Sequence, residues 1–277
     1  MTDALTLGFS PCPNDTFIFH ALVHGLLPDA PTVRARLEDV ETLNQLARRA
    51  VLDLTKISYH AFGHLRRDYV LLRSGGALGR GCGPLLVARP GIGMSDLRQR
   101  PVAIPGELTT ANLLLQLCAE GFDQTVVMPF DRIMPAVAAG RCDAGVIIHE
   151  SRFTYQRHGL VRLLDLGQWW EEETGCPIPL GGILARRALG PDLIRRVDAA
   201  IRRSVEHAFA HPDAPRAYIL CHAQEMEETV VDRHIALYVN DFSRDLGDEG
   251  ERAVRLLLQK AEERGLIPAC DLPLFID

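Results

Sequence analysis

LTLGFSPCPNDT, residues 5–16, is an apolar β-forming run, a turn fixed by two prolines, and the start of a helical stretch. It predicts a strand over Leu5–Phe9 and a helix from about Asn14 to Gly25. The alternation continues outward. Val33–Leu37, Leu52–Ile57 and Tyr69–Arg73 read as strands, and Val40–Ala50 and Tyr59–Arg67 as helices. Strands separated by helices of about ten residues imply βαβ units and a mainly parallel sheet.

A second set follows GPLLVARPGIG, residues 83–93. Its predicted strands are Val102–Ile104, Val126–Pro129 and Ala144–Ile148, and its helices Thr109–Gly121 and Ile133–Ala139. LGGILAR, residues 180–186, returns to β character, and the chain then reads as helical from Gly190 to about Gly265. Leu193, Val197, Ile201, Val205 and Phe209 recur every four residues and predict one buried stripe. The chain thus crosses twice between two α/β lobes, near residues 84–93 and 179–187. Residues 1–88 with 188–277 are expected to form a larger discontinuous domain, and 89–187 a smaller one. The layout is that of a two-lobed periplasmic-binding-protein-like α/β fold of the second type, with a central ligand cleft at strand ends and helix N-termini.

Composition fits. A chain of 277 residues, 47% hydrophobic and 24% charged, can bury two cores. A net charge of −6 argues against a nucleic-acid partner. Arg195, Arg196, Arg202 and Arg203 alternate with Asp192, Asp198 and Glu206, as on a solvated helix face. No window reaches the roughly 20 apolar residues of a membrane span, and the N-terminal residues lack a basic and then apolar leader, so a cytoplasmic location is expected. Seven scattered cysteines without a CxxC predict reduced thiols. His20 and His24, like His60 and His64, are spaced i, i+4 but lack a third ligand at motif spacing. HExxH fails at Phe153. Neither a metal nor a cofactor is expected.

Three segments offer polar groups at the predicted cleft edge. Ser10, Asn14, Asp15 and Thr16 surround unpaired N–H groups at a helix start, which suits an anion or hydroxyl, or simply a capped helix. Gly106-Glu107-Leu108-Thr109-Thr110 is the equivalent turn of the second lobe, its threonines serving as caps or ligand donors. Lys56-Ile57-Ser58, at a strand end, adds a cation and a hydroxyl. His149 follows the apolar run Val146-Ile147-Ile148 and precedes Glu150. It fits either a proton acceptor tuned by a carboxylate or a structural histidine. The glycine-rich stretch Ser74–Gly83 lacks a phosphate-loop pattern and reads as a segment against the cleft or leading into the hinge. Trp169, Trp170, Phe153 and Tyr155 suit either an aromatic ligand or packing.

Taken in order, SPCPNDTFIFHALVHG (10–25), LEDVETLN (37–44), LTKISYHAF (54–62), RSGGALGRGCGPLLVAR (73–89) and IIHESRFTYQRHGLVRLLDLGQWWEEETG (147–175) resemble the 1,4-dihydroxy-6-naphthoate synthase family of the futalosine route to menaquinone. The resemblance covers nearly the whole chain. It implies a lyase that converts cyclic dehypoxanthine futalosine to 1,4-dihydroxy-6-naphthoate without metal or organic cofactor. It further implies that His149 is the proton acceptor and that Lys56, Ile57 and Ser58, with Thr109 and Thr110, contact substrate. Ile57 stands where relatives often have Leu. The residues themselves add Ser10 and Asn14 as substrate-binding candidates. The expected partner is a small carboxylate, bound by a monomer or homodimer. Chorismate dehydratase of the same route and a non-catalytic anion-binding protein are the rival readings.

Overall fold

The computed structural model describes residues 4–119, 121, 122, 124–223 and 227–276. The first unit runs β1 (Leu5–Phe9), α1 (Pro13–Val23), β2 (Val33–Leu37), α2 (Val40–Arg48), β3 (Leu54–Ser58), α3 (Tyr59–Leu65), β4 (Tyr69–Leu71) and β5 (Ala77–Gly79). The second comprises β6 (Leu85–Ala88), β7 (Val102–Ile104), α4 (Thr110–Cys118), β8 (Thr125–Val127), α5 (Phe130–Ala138), β9 (Ala144–Ile147), α6 (Ser151–Thr154), β10 (Val161–Asp165) and α7 (Leu166–Thr174). The chain then returns through β11 (Ile178–Arg186) to α8 (Pro191–Ala210), α9 (Arg216–His222), α10 (Glu228–Tyr238), α11 (Asp241–Arg244) and α12 (Gly247–Glu263).

Two sheets result. The first is ordered β2-β1-β3-β11-β4, with β5 also on β11, and the second β10-β6-β9-β7-β8. Two boundaries expected from sequence shift. β6 lies within the expected 1–88 segment but bonds into the second sheet, and β11 lies within 89–187 but bonds into the first. Nor is either sheet mainly parallel: among the described strands four pairings are parallel and five antiparallel. The crossings explain both differences. Leu85 at the start of β6 faces Ile147 at the end of β9, and Gly181 in β11 faces Ser58 at the end of β3. A chain that crosses at the edge where the βα strands finish must run back against them.

Pro13 takes the first helical position of α1, where its missing N–H costs nothing. Asp39 caps α2 by accepting from the Glu41 and Thr42 amides. On α8, Val197, Ile201 and Val205 are buried as expected, but Phe209 is exposed and Ile194 and Ala208 are buried instead. A four-residue step overshoots a 3.6-residue turn by about 40°, so the true stripe rotates away from a strict i+4 row. Ser204 stitches α8 to α1, donating to Ile18 O at 2.6 Å and accepting from the Leu22 amide at 3.2 Å. One apolar cluster joins both sheets, uniting Leu43, Ile57 and Leu71 with Leu86, Val102 and Leu113.

Candidate active site

A cleft of about 730 Å³ lies between the sheets. Ser10, Asn14, Lys56, Ile57, Ser58, Thr109, Thr110 and His149 all line it. Lys56, Ile57 and Ser58 are the last three residues of β3 and the others follow β1, β7 and β9, so the C-terminal ends of four strands deliver them to one space. The two halves touch around it. His60 Nδ1 lies 3.3 Å from Thr109 O, and an added Cβ on Gly106 would stand 2.3 Å from Glu41 Oε2.

Asp15 organises one wall. Its Oδ2 accepts from the amide and hydroxyl of Ser10 at 3.1 and 2.7 Å. Its Oδ1 accepts from Asn14 Nδ2 at 2.8 Å and Lys56 Nζ at 2.5 Å. Lys56 is therefore not an unpaired cation awaiting a carboxylate; its charge is already balanced. The threonine hydroxyls are similarly engaged. Thr109 Oγ1 donates to Gly106 O and accepts from the Asn112 amide, while Thr110 Oγ1 donates to Leu180 O at 2.6 Å. What this turn offers an anion is the first-turn N–H groups of Thr110 and Ala111, which a helix cannot satisfy internally. Ser58 Oγ accepts from Asn44 Nδ2 at 3.4 Å, leaving its own proton available to a ligand.

His149 stands two residues beyond β9 at φ 56°, in the left-handed region that a histidine seldom adopts. Its ring borders the cleft and a smaller compartment of about 420 Å³ that also includes Cys12, Asp39 and Glu150. Cys12 Sγ lies 3.7 Å from Nδ1, and the Phe130 ring meets the imidazole edge-on at 5.0 Å between centroids. Burial lowers the His149 pKa, against the opposing pull of Glu150 and Asp15, so the ring is neutral and able to accept a proton. Burial and the Glu150 charge push the Cys12 thiol well up, which makes it a neutral neighbour and not a nucleophile. Arg152 anchors the turn from beneath, donating to Gly83 O at 2.6 Å and Asp165 Oδ2 at 2.7 Å.

His234 was not singled out from sequence. It is 1% exposed on α10, donates from Nε2 to Asn14 Oδ1 at 3.0 Å, and lies nearly parallel to His149 with centroids 6.1 Å apart. Its signal was an imidazole among Val230, Val231 and Tyr238 on the buried face of a helix. The aromatic residues settle on packing: Trp170 is fully buried with Nε1 donating to Pro177 O, and none of Trp169, Phe153 or Tyr155 lines the cleft. The glycine-rich stretch contains β5 and contributes Ala77 and Cys82 to the cleft wall. Among the described residues no group of three His, Cys, Asp or Glu side chains is placed to hold a metal, and no helix is long and apolar enough to cross a membrane.

A family model described as Menaquinone biosynthesis matches residues 5–263. A protein of Thermus thermophilus named 1,4-dihydroxy-6-naphthoate synthase is 57% identical over 275 residues, covering 99% of this chain and all of that one. The crystal structure of protein AF1704 from Archaeoglobus fulgidus is 36% identical, with a TM-score of 0.89 over 95% of this chain and 98% of that one. The alkanesulfonate-binding protein SsuA from Xanthomonas axonopodis pv. citri, at 14% identity, has a TM-score of 0.70 over 96% of this chain and 94% of that one, which shows the periplasmic-binding-protein-like fold. Together with the two-sheet architecture, these matches show that the chain belongs to the menaquinone biosynthesis family.

Proposed function

We propose that this protein is a carbon–carbon lyase that converts cyclic dehypoxanthine futalosine to 1,4-dihydroxy-6-naphthoate, with His149 as the base. The observation that carries the reading is the placement of a neutral imidazole at the edge of a cleft otherwise walled by apolar side chains and neutralised polar groups. Val40, Leu43, Ile57, Ile148 and Leu180 suit a fused ring system. The ring carboxylate is held by the first-turn amides of α4 and the Ser58 hydroxyl, while Ser10 and Asn14 on the opposite wall face the sugar-derived portion. His149 removes a hydroxyl proton there, and the charge is relieved as a carbon–carbon bond breaks and the second ring becomes aromatic. The name of the Thermus relative supports this assignment. Seven unpaired cysteines suit a reducing cytoplasm.

The test is to incubate purified protein with cyclic dehypoxanthine futalosine and, separately, with chorismate, and to identify products by mass. Dihydroxynaphthoate from the first substrate alone supports the reading. Dehydration of chorismate, or binding without turnover, overturns it.

A further inference from the structure

The side-chain amide of Asn14 is held at both ends and keeps one hydrogen unspent. Its Nδ2 donates one hydrogen to Asp15 Oδ1 at 2.8 Å, and its Oδ1 accepts from Nε2 of His234 at 3.0 Å. The second Nδ2 hydrogen has no acceptor among the described residues, and Asn14, only 7% exposed, lines the cleft. Two partners fix this orientation. Turning the amide over would set its oxygen against an Asp15 oxygen that already accepts from Lys56, bringing two acceptors into contact. The amide oxygen that faces His234 has no proton to give, so Nε2 carries the ring proton. Burial, with His149 and Lys56 close by, holds the His234 pKa well down and the ring neutral. Its Nδ1 makes no hydrogen bond, since Glu150 Oε2 at 3.8 Å is out of reach. Among the described residues, the bond to Asn14 is therefore the hydrogen bond that the imidazole makes.

The chemistry assigned to His149 needs such a donor. Burial lowers the His149 pKa and so weakens it as a base, while a sugar hydroxyl is a far weaker acid than an imidazolium. Transfer between them requires a hydrogen-bond donor aimed at the oxygen on which charge develops. Ser10 spends its hydroxyl proton on Asp15, which leaves the spare amide hydrogen of Asn14 on this wall. His234 links the two sites, nearly parallel to His149 with centroids 6.1 Å apart and bonded to Asn14. We propose that Asn14 is a catalytic residue, donating from Nδ2 to the substrate hydroxyl that His149 deprotonates, and that Asp15 and His234 are the positioning residues that aim it. This rests on the reading of His149 given above. The Asn14 hydrogen is shared and not transferred. His149 takes the hydroxyl proton, and the O–H electron pair becomes the second bond of a carbonyl. The adjacent carbon–carbon bond breaks, and its pair passes into the ring system to end on an aryl oxyanion. The His149 imidazolium returns its proton to that oxyanion, so the step needs no oxidant or reductant.

The full chain, labelled with ¹⁵N-histidine, reports the orientation of the amide. At neutral pH His234 is expected as the neutral Nε2–H tautomer with a bare Nδ1; the Nδ1–H tautomer, or an imidazolium, overturns the proposal. With cyclic dehypoxanthine futalosine as substrate, Asn14→Leu lowers kcat by at least about a hundredfold and changes KM by less than about threefold. His234→Leu frees the amide and lowers kcat about tenfold. His234→Gln, whose amide N–H takes the place of Nε2–H, recovers most of that loss. Added to Asn14→Leu, His234→Leu costs nothing further, because His234 acts through Asn14. Near-normal kcat in Asn14→Leu, equal losses in the two His234 variants, or losses that multiply overturn the proposal. If His234→Leu does not fold, Asn14→Leu and the spectrum still decide. Turnover retained in His149→Ala would defeat the base reading, whereas an inactive His149→Ala beside a near-normal Asn14→Leu defeats only this one.

Discussion

Lys56 Nζ lies 2.5 Å from Asp15 Oδ1, with the two side chains only 7% and 5% exposed. The pair joins the end of β3 to the start of α1 and fixes one wall of the cleft. Asp15→Asn leaves a buried ammonium without its counter-charge, so stability falls by about 3–5 kcal/mol. Adding Lys56→Met to that variant removes the stranded charge and recovers part of the loss. Urea unfolding of the two variants measures the difference; equal midpoints would show that the stranded ammonium carries no penalty.

His149 occupies a left-handed conformation, which asparagine tolerates better than alanine does. His149→Asn is therefore expected to melt at or above the temperature of His149→Ala, while both lose at least about a hundredfold in kcat. Thermal unfolding and turnover on the same samples separate the backbone requirement from the chemical one.

Gly83 and Gly167 meet backbone to backbone where the chain crosses between sheets. A Cβ on Gly83 would stand 2.3 Å from Gly167 Cα. Neither side can yield as a flexible side chain would, so Gly83→Ala is expected to cost about 3 kcal/mol and to displace the turn that Arg152 ties to Gly83 O. Gly81→Ala is the control: φ is 67° but nothing lies within 4 Å, so its cost is conformational and about 1 kcal/mol. The comparison is read from unfolding midpoints.

His60 is buried beside Thr109 O, and burial with His64 nearby pushes its pKa down from the usual 6.5 to about 4. The unfolded chain therefore binds a proton here that the folded chain refuses. Stability from this group is complete above about pH 6.5 and declines as pH falls toward 4, by on the order of 3 kcal/mol. His20, His64, His149 and His234 are shifted the same way, so the whole protein weakens across this window. Unfolding free energies at pH 7 and 4.5 are expected to differ less in His60→Gln than in the unmodified protein.

Much of this fold could be read from local pattern. β1, β2 and β7 fall on the predicted residues, because alternating or continuous apolar runs between turn formers leave few other conformations. The strand ends and following turns that carry Ser10, Lys56, Ser58, Thr109 and His149 were legible for the same reason: in a βα fold, polar residues at or just past the end of a strand reach the cleft edge. Sequence did not show the direction of β6 and β11, since antiparallel pairing depends on where the crossings emerge, and no local propensity encodes that.

The chain's own order of residues determined that two βα units would present polar turns and a histidine to one gap, since each of those features is set within a dozen neighbouring positions. Only the tertiary structure decided which groups remain available there. Lys56 is neutralised by a residue 41 positions away, and His234 arrives from 220 positions beyond Asn14. Charge balance and hydrogen-bond satisfaction depend on distances of a few ångströms, which the packed core sets and sequence separation does not.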